Sequence, residues 1–111
     1  MLSKADRLSI KEFNTVVKTG RETHSPLFSI RYVPANRFKF SPTAPKSTFK
    51  TAVLRNRTRR RIYAAARKVI SETTLKPNMV VLIVKRDISH IESPQLVSLI
   101  RDLFVQARLI A

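Results

Sequence analysis

The sequence lacks several features on which common protein functions depend. It contains no cysteine and a single glycine, Gly20. Without cysteine neither a disulfide nor a thiolate-metal site can form, and one glycine cannot supply a Gly-rich phosphate-binding loop. No apolar run is long enough to cross a membrane, and the N-terminal segment lacks the apolar region of a secretory signal peptide. We therefore expect a cytoplasmic protein with no membrane partner.

Acidic residues are also scarce. The 111 residues include 22 Lys and Arg but only 7 Asp and Glu, so the formal net charge is +15. No acid at all occurs between Glu22 and Glu72. Such an excess of one sign opposes compaction and favours a polyanionic partner, which makes the middle of the chain a candidate footprint for nucleic acid.

Patterns typical of catalysis and of metal binding are missing as well. Asp and Glu do not pair at spacings that suggest acid–base catalysis or metal ligation, and His24 and His90 are isolated in loop-like sequence. An arginine cluster can bind and orient phosphates, but it has no group that would generate a nucleophile. We therefore expect this chain to supply no catalytic residue and no metal ligand.

The length suits one domain, residues 1–111, with a single hydrophobic core. Local patterns predict the order αββαβα, an α+β fold with a small mixed sheet. The predicted elements are a helix from Ser9 to about Lys18, strands at 27–33 and from Arg37, a long helix over 52–72, a strand at 79–84 and a helix capped by Ser93. The unbroken apolar run at 79–84 is typical of a central, buried strand.

Several element ends carry local signals. Ser9 followed by Glu12 predicts a capping box, and Gly20 suits a left-handed C-terminus of the same helix. Pro42 and Pro45 interrupt ladder hydrogen bonding, so they predict an edge strand or a bulge.

The basic region is densest from Arg55 to Arg61, where five of seven residues are arginine and none is acidic. Arg and Ala favour helix and no Pro or Gly interrupts, so this run belongs to the long helix. At about 100° per residue, a core stripe is formed by Ile62, Ala65, Ala66 and Val69. The opposite side carries Arg57, Arg60, Arg61, Arg67 and Lys68, and Arg55 and Arg59 overhang the edge of the stripe. A solvated face usually mixes both signs, so this face favours phosphate binding.

The same run carries a family resemblance. Residues 51–60, Thr-Ala-Val-Leu-Arg-Asn-Arg-Thr-Arg-Arg, resemble the RNR signature of the bacterial ribonuclease P protein subunit. In that family a lysine-bearing strand and loop lead into A-V-x-R-N-R-x-x-R at the start of a long helix. The other predicted elements follow in the family's order over nearly the whole chain. The resemblance implies a ribosomal-protein-S5-domain-2-like sandwich with helices largely on one side of the sheet.

The resemblance also implies a function. A catalytic RNA subunit, using Mg²⁺ that it holds mainly itself, would cleave the 5′ leader from precursor tRNA, and this protein would bind both RNAs without an obligate protein partner. The residues expected to contact RNA are Arg55, Asn56, Arg57, Arg59, Arg60, Arg61, Arg67 and Lys68, with Lys46 and Lys50 in the preceding loop. Asn56 could bond to RNA, to a magnesium-bound water or, in a purely structural role, at the start of the helix.

In this family a cleft beside the first helix holds the single-stranded leader. The residues expected to line it, by stacking and by charge, are Phe13, Ser29, Arg31, Lys39 and Arg86. Phe13 could equally be a core residue. The loop before the long helix departs from the family pattern, because Lys46 matches the first lysine of a usual pair, Ser47 replaces the second and the usual glycine is absent.

Other classes of function remain open. A structural RNA-binding protein of the ribosome is the main alternative, since small basic α+β domains are common there and charge and size do not separate the two. DNA binding is less favoured because neither a basic helix with heptads nor zinc-finger spacing is present. A membrane-surface helix is less favoured because the arginine-rich helix offers mostly alanine on its apolar side.

Overall fold

The computed structural model describes residues 6–110, so residues 1–5 and 111 of the predicted domain lie outside the described part. The elements within this range are α1 (Ile10–Thr19), β1 (Arg21–His24), β2 (Phe28–Pro34), β3 (Lys39–Thr43), α2 (Ala52–Glu72), β4 (Asn78–Val84) and α3 (Ser93–Gln106). The strands form one mixed sheet of order β1-β2-β4-β3, antiparallel except for the parallel pair of β3 and β4. The predicted α+β class with a mixed sheet is confirmed.

The predicted element order lacks β1. This strand, Arg-Glu-Thr-His, has no apolar residue and is mostly exposed, so hydrophobic alternation could give no signal for it. It forms because β2 offers a free edge, along which Thr23 lies opposite Ile30. A strand can therefore form with few buried side chains of its own when the neighbouring strand supplies the apolar residues that it pairs with.

β4 is the central strand, as predicted, with β2 on one side and β3 on the other. Val80 and Leu82 belong to the main hydrophobic core, whereas Val81 faces the opposite side of the sheet; all three are 0% exposed. Burial on both faces explains why the sequence of this strand is apolar without interruption. Each such side chain contributes about 1.5–3 kcal/mol relative to an exposed one.

α2 and α3 cover one face of the sheet and enclose the core. α2 buries the predicted stripe of Ile62, Ala65, Ala66 and Val69, and α3 buries Leu96, Ile100, Leu103 and Phe104. Phe40 of β3 links the two helices. Its ring packs edge-on against Tyr63 and Phe104, with centroids 6.3 and 6.0 Å away. Such edge-on pairs stabilise by about 0.5–1.5 kcal/mol beyond their buried area.

α1 lies on the other face of the sheet and crosses it from β3 towards β2. Before the helix starts, the Leu8 N–H donates to Ser41 Oγ on β3 at 2.9 Å. Near its end, the Arg31 guanidinium of β2 donates to the Val17 carbonyl oxygen. Between these two points Val16 is completely buried against the sheet. The second face therefore has a small apolar contact under α1 and polar strand residues around it.

Hydrogen bonds and close packing fix both ends of α1. The Glu12 N–H donates to Ser9 Oγ at 3.1 Å and the Ser9 N–H to Glu12 Oε1 at 2.9 Å, which is the predicted capping box. At the other end the left-handed conformation predicted for Gly20 is wrong, because its φ of −70° and ψ of 151° are extended. Glycine is required there for space. A Cβ would lie 2.5 Å from the Val16 carbonyl oxygen and 3.0 Å from the Tyr32 nitrogen.

The remaining element ends follow local chemistry. β3, which contains Pro42, borders only β4, so the predicted edge strand is confirmed. Beyond it the Pro45 carbonyl accepts the Phe49 N–H at 2.9 Å and turns the chain towards α2. The cap predicted for α3 is one residue late, since Glu92 is the N-cap and Ser93 the first helical residue.

Candidate nucleic-acid interface

The outer face of α2 carries a group of exposed cations. The buried stripe holds the inner face of the helix on the sheet, and the side chains that project outward are Arg57, Arg60, Arg67 and Lys68. None of the four pairs with a carboxylate within residues 6–110. This set, called the outer basic face below, therefore presents unneutralised positive charge. Arginine binds phosphates by charge and by its planar pair of donors, and lysine binds them by charge.

Two further arginines of the run bond within the protein and stay half exposed. Arg55 overhangs the edge of the stripe, as predicted, and its Nη1 donates to the Phe49 carbonyl oxygen at 2.9 Å. Arg59 donates to the side-chain oxygen of Asn56. The bond at the start of the helix is made by Thr51, whose hydroxyl accepts the Leu54 N–H at 3.2 Å. Asn56 thus orients an arginine rather than capping the helix, and its RNA contact stays a prediction.

Arg61 differs most from its predicted surroundings. Its place in the helical repeat predicts a side chain that projects outward with the other cations, but the side chain is half buried. Its Nη1 donates to the Ile88 carbonyl oxygen at 2.7 Å, and its Nη2 donates to the Ile91 carbonyl oxygen. The guanidinium therefore ties the segment after β4 to α2. A phosphate contact by Arg61 stays a prediction, whereas its structural role is observed.

Lys46 and Lys50 are exposed in the loop between β3 and α2. Phe49 anchors this loop, since its side chain is only 4% exposed. A cavity of about 240 Å³ separates the loop from the segment after β4. Asp87 lines that cavity, and its carboxylate accepts the Ser89 backbone N–H at 2.9 Å, a bond that lowers the pKa of Asp87. This acid is not among the residues predicted from the sequence, and it lines the same cavity as residues of the first turns of α2.

Three of the predicted leader-cleft residues lie together on the α1 side of the sheet. Each bonds to a carboxylate. Lys39 Nζ lies 2.9 Å from Glu12 Oε2, and Arg31 Nε lies 3.1 Å from Glu22 Oε2. Ser29, which is only 4% exposed, donates its hydroxyl to the same Glu22 oxygen at 3.2 Å. The two cations of this surface are therefore partly neutralised within the protein, unlike those of the outer basic face.

Both carboxylates have lowered pKa values. The main cause for Glu12 is the hydrogen bond from the Ser9 backbone N–H, followed by the one from Lys39. Desolvation raises the pKa of Glu22, but the hydrogen bonds from Arg31 and Ser29 together with the nearby charges outweigh it, so the pKa is lowered. Both acids are consequently ionised near neutral pH and hold their cations in place. A phosphate at this surface must compete with them.

Phe13 and Arg86 complete the predicted cleft set. Phe13 lies on α1, which packs on this face of the sheet. Its side chain is half buried and is not part of the main hydrophobic core. Arg86 is exposed beyond the end of β4, whereas Lys39 pairs with Met79 at the start of that strand. The structure therefore brings Ser29, Arg31 and Lys39 together beside α1, which carries Phe13. Arg86 lies at the opposite end of β4 from Lys39, nearer to Ser29, which pairs with Ile83.

Two exposed apolar residues beside the arginine run are not among the residues predicted to form the interface. Val53 is 64% and Leu54 is 44% exposed in the first turn of α2. A signal was available, because Val53 lies nine residues before Ile62, which is about 180° around a helix and so opposite the core stripe. Val53 and Leu54 are not part of the main hydrophobic core, so the exposed surface at the start of α2 presents apolar side chains as well as cations.

Residues 6–110 contain neither a membrane-spanning helix nor a cluster of metal-ligating side chains. No helix in this range is long and apolar enough to cross a membrane. No three His, Cys, Asp or Glu side chains in it cluster so that they could hold a metal ion.

Comparison with known proteins adds to this geometry. The family model described as Ribonuclease P matches residues 2–108. Among solved structures, the chain is similar to the RNase P protein of Staphylococcus aureus, with a TM-score of 0.77 and 18% identity over 97% of this chain and 100% of that one. It is also similar to the RNase P protein of Thermotoga maritima, with a TM-score of 0.70 and 16% identity over 91% and 93% of the two chains. No curated protein sequence matches. At these identities the structures show a shared fold.

Proposed function

The chain belongs to the ribonuclease P protein family, whose members are subunits of a tRNA-processing ribonucleoprotein, and from that premise we propose how it works. It binds the catalytic RNA subunit through the outer basic face of α2. It binds the 5′ leader of precursor tRNA on the α1 side of the sheet. The RNA subunit carries out the magnesium-dependent cleavage, and the protein assists by holding enzyme RNA and substrate together.

The observation that carries this proposal is the charge of the outer basic face. Four exposed cations fall between Arg57 and Lys68, and the first acid of the helix is Glu72 at its end. Because these cations have no carboxylate partner in the described part of the chain, they gain most from an external anion. Each phosphate they neutralise also releases condensed counterions from the RNA, which drives binding at low salt.

The α1 side of the sheet fits a second, weaker role. α1 carries a half-buried aromatic ring, Phe13, and packs on the sheet face that holds Arg31 and Lys39. Rings beside cations bind single strands by stacking and charge. Glu22 and Glu12 hold the two cations when no RNA is bound. A leader phosphate must displace these carboxylates, so this surface contributes less affinity than the outer basic face and acts on a substrate already docked.

The chemistry of cleavage is assigned to the RNA partner. No three His, Cys, Asp or Glu side chains cluster within the described residues, and Mg²⁺ is proposed to be held mainly by the RNA partner. The protein's own contribution is to bind and orient phosphates. The proposed location is the cytoplasm.

Reconstitution tests the proposal. The protein is mixed with the catalytic RNA of its source and a leader-bearing precursor tRNA at near-physiological magnesium, and the rate of leader release is compared with that of RNA alone. We expect a clear gain in rate. A structural protein of the ribosome would bind ribosomal RNA and leave this rate unchanged, so the absence of a gain would favour that alternative.

A further inference from the structure

A groove of about 410 Å³ separates α2 from α3. Its buried lining is apolar and comes from Ala65 and Leu96, which are 5% and 1% exposed. Ala64 and Val97 form more exposed parts of the wall. The small side chain of Ala64 keeps the groove open on the α2 side. An apolar slot of this size accommodates a planar ring system but not a nucleic acid duplex.

The rim of the groove is cationic. Arg60 and Lys68 both line it and are both exposed. Each is four residues from Ala64, so they lie about 6 Å along the helix axis on either side of it. Neither makes an ion pair with a carboxylate in the part of the chain that the structure describes. Two cations thus flank the slot on the α2 side.

Arg61 supplies a fixed wall. It lines the groove, and its guanidinium is held by the carbonyl oxygens of Ile88 and Ile91. A planar cation that is already immobilised stacks on an aromatic ring with little further loss of side-chain entropy. This preorganisation distinguishes the groove from the open surface around Arg67, where no such contact with residues 6–110 fixes a side chain.

We propose that the α2–α3 groove binds a single unstacked nucleotide of the RNA partner. The base enters the slot beside Ala64 and stacks on the Arg61 guanidinium, and the flanking phosphates meet Arg60 and Lys68. This inference rests on the proposed RNA-binding function and deepens it, because it adds recognition of a splayed-out base to a surface otherwise explained by phosphates.

Charge complementarity favours RNA over a protein occupant. An apolar peptide or a second copy of this chain would cover the slot but would bring the two rim cations into an interface without partners, and unpaired buried charge is costly. A nucleotide matches both parts of the site, since every base has an apolar face and a phosphate on each side. Unstacked bases in loops and bulges are the common targets of RNA-binding proteins.

The first test closes the slot without changing charge. Ala64→Leu places a bulky side chain in the groove, and Leu is close to Ala in helix propensity, so folding should be retained and is checked by thermal melting. Ser71→Leu is the matched control, because Ser71 is exposed on the same stripe of α2, seven residues from Ala64, and does not line the groove. Loss of one stacked base predicts roughly 5- to 150-fold weaker binding of the catalytic RNA by the first variant, with an unchanged salt slope, and no change for the control.

The second test uses small probes. The protein is titrated with AMP, ribose 5-phosphate and inorganic phosphate while amide chemical shifts are followed by NMR. The inference predicts that AMP alone shifts Ala64 and Val97 strongly and that Ala64→Leu abolishes the difference between AMP and ribose 5-phosphate. Equal shifts with all three probes would mean that the rim binds phosphate only, and the base-binding inference would be wrong.

The two proposals fail in different ways. If Ala64→Leu binds the catalytic RNA as tightly as the unaltered protein while Arg57→Ala binds it more weakly, the groove inference is overturned and the outer basic face stands. If the unaltered protein does not bind the catalytic RNA at all, the proposed function fails first. If both Ala64→Leu and Ser71→Leu weaken binding equally in folded protein, the effect is one of added bulk and the groove inference is also overturned.

Discussion

The Arg61 guanidinium donates to the Ile88 carbonyl oxygen at 2.7 Å, across 27 residues of sequence. Four residues earlier on the same helix, Arg57 is exposed and meets no carboxylate in the described chain. Two arginines of the same run therefore have different structural roles. Arg61 holds the segment after β4 against α2, and Arg57 is available to a partner. Charge counting over the sequence cannot separate them.

Alanine substitutions at Arg61 and Arg57 should differ in their effect on the free energy of unfolding. Arg61→Ala leaves two carbonyl oxygens without their charged donor. Since one hydrogen bond to a charged group contributes about 1.5–3 kcal/mol, we expect the free energy of unfolding to fall by at least about 1.5 kcal/mol. Arg57→Ala removes an exposed side chain and should change it by less than about 0.5 kcal/mol. Urea titration at neutral pH measures both.

RNA binding supplies the second readout for this pair. Arg57→Ala should weaken binding of the catalytic RNA without lowering the melting temperature. Arg61→Lys serves as a control for charge. It keeps the positive charge but has no planar fork to bond both carbonyl oxygens, so it should lower stability as Arg61→Ala does. A large loss of stability in Arg57→Ala with unchanged RNA affinity would reverse the two assignments.

Substitutions at Phe13 and Arg31 test the proposal that the α1 side of the sheet binds the 5′ leader. Replacing both by alanine in the assembled enzyme removes one stacking ring, worth about 1–3 kcal/mol per base, and one phosphate contact. We expect weaker binding of leader-bearing precursor tRNA and almost unchanged binding of mature tRNA. Equilibrium binding of the two tRNAs to the same holoenzyme preparation gives the comparison.

This experiment needs a control for charge and one for folding. Arg21→Ala removes the same charge from β1, where Arg21 lies opposite Tyr32 and so on the other face of the sheet from Arg31. Because Arg31 also bonds to Glu22 and to the Val17 carbonyl oxygen, each variant must first be shown to melt cooperatively. Equal losses for precursor and mature tRNA in folded protein would contradict a leader-specific role.

The capping box predicts a defined pH dependence. The pKa of Glu12 is lowered by the hydrogen bond from the Ser9 N–H and then by Lys39. A lowered folded-state pKa contributes stability that is fully present above the ordinary value of 4.5 and is lost as pH falls through the folded-state value. Glu12→Gln keeps a cap acceptor but cannot titrate. The stability difference between the two proteins should therefore shrink between neutral pH and pH 3, measured by urea unfolding.

The comparison with Glu12→Gln isolates one group. Glu22 and Asp87 also have lowered pKa values, but they titrate in both proteins and cancel in the difference. A stability difference that stays constant from pH 7 to pH 3 would mean that the Glu12 carboxylate does not stabilise the fold through its charge.

Gly20→Ala tests the packing under α1. Since φ is −70°, alanine meets no backbone strain, and the unfolded-state effect alone would stabilise the protein by about 0.4–1 kcal/mol. The Cβ would instead approach the Val16 carbonyl oxygen to 2.5 Å, so we expect a net loss of about 1–3 kcal/mol. Gly20→Asn should be worse still. A tolerated asparagine would indicate a left-handed residue instead of a crowded one.

The sequence predicts those parts of the molecule whose signal is local and repeated. The stripe of α2 ending at Val69 and the apolar run of β4 follow from periodicity and composition, and the Ser9–Glu12 capping box follows from spacing. All three are present. The edge position of β3 follows from Pro42, which cannot donate to a central ladder.

The rest depends on contacts between distant segments. β1 has no apolar pattern and exists because β2 offers its edge, and the same register sets Glu22 opposite Arg31. The local sequence therefore does not predict that Arg31 and Lys39 pair with carboxylates. The hydrogen bonds of Arg61 likewise form only when the segment after β4 packs against α2. The groove beside Ala64 forms only when α3 packs against α2.

The central claim is that the outer basic face binds RNA phosphates, and the salt dependence of affinity tests it most directly. Binding of the catalytic RNA is measured between low and moderate salt for the unaltered protein and for Arg57→Ala. If the four cations of this face and one further cation of the run or of the preceding loop neutralise about five phosphates, the slope of log affinity against log salt should be about −3.5 to −4.5, and Arg57→Ala should reduce its magnitude by roughly 1. A slope near zero, or one that Arg57→Ala leaves unchanged, would contradict the account and make this face a solvated surface.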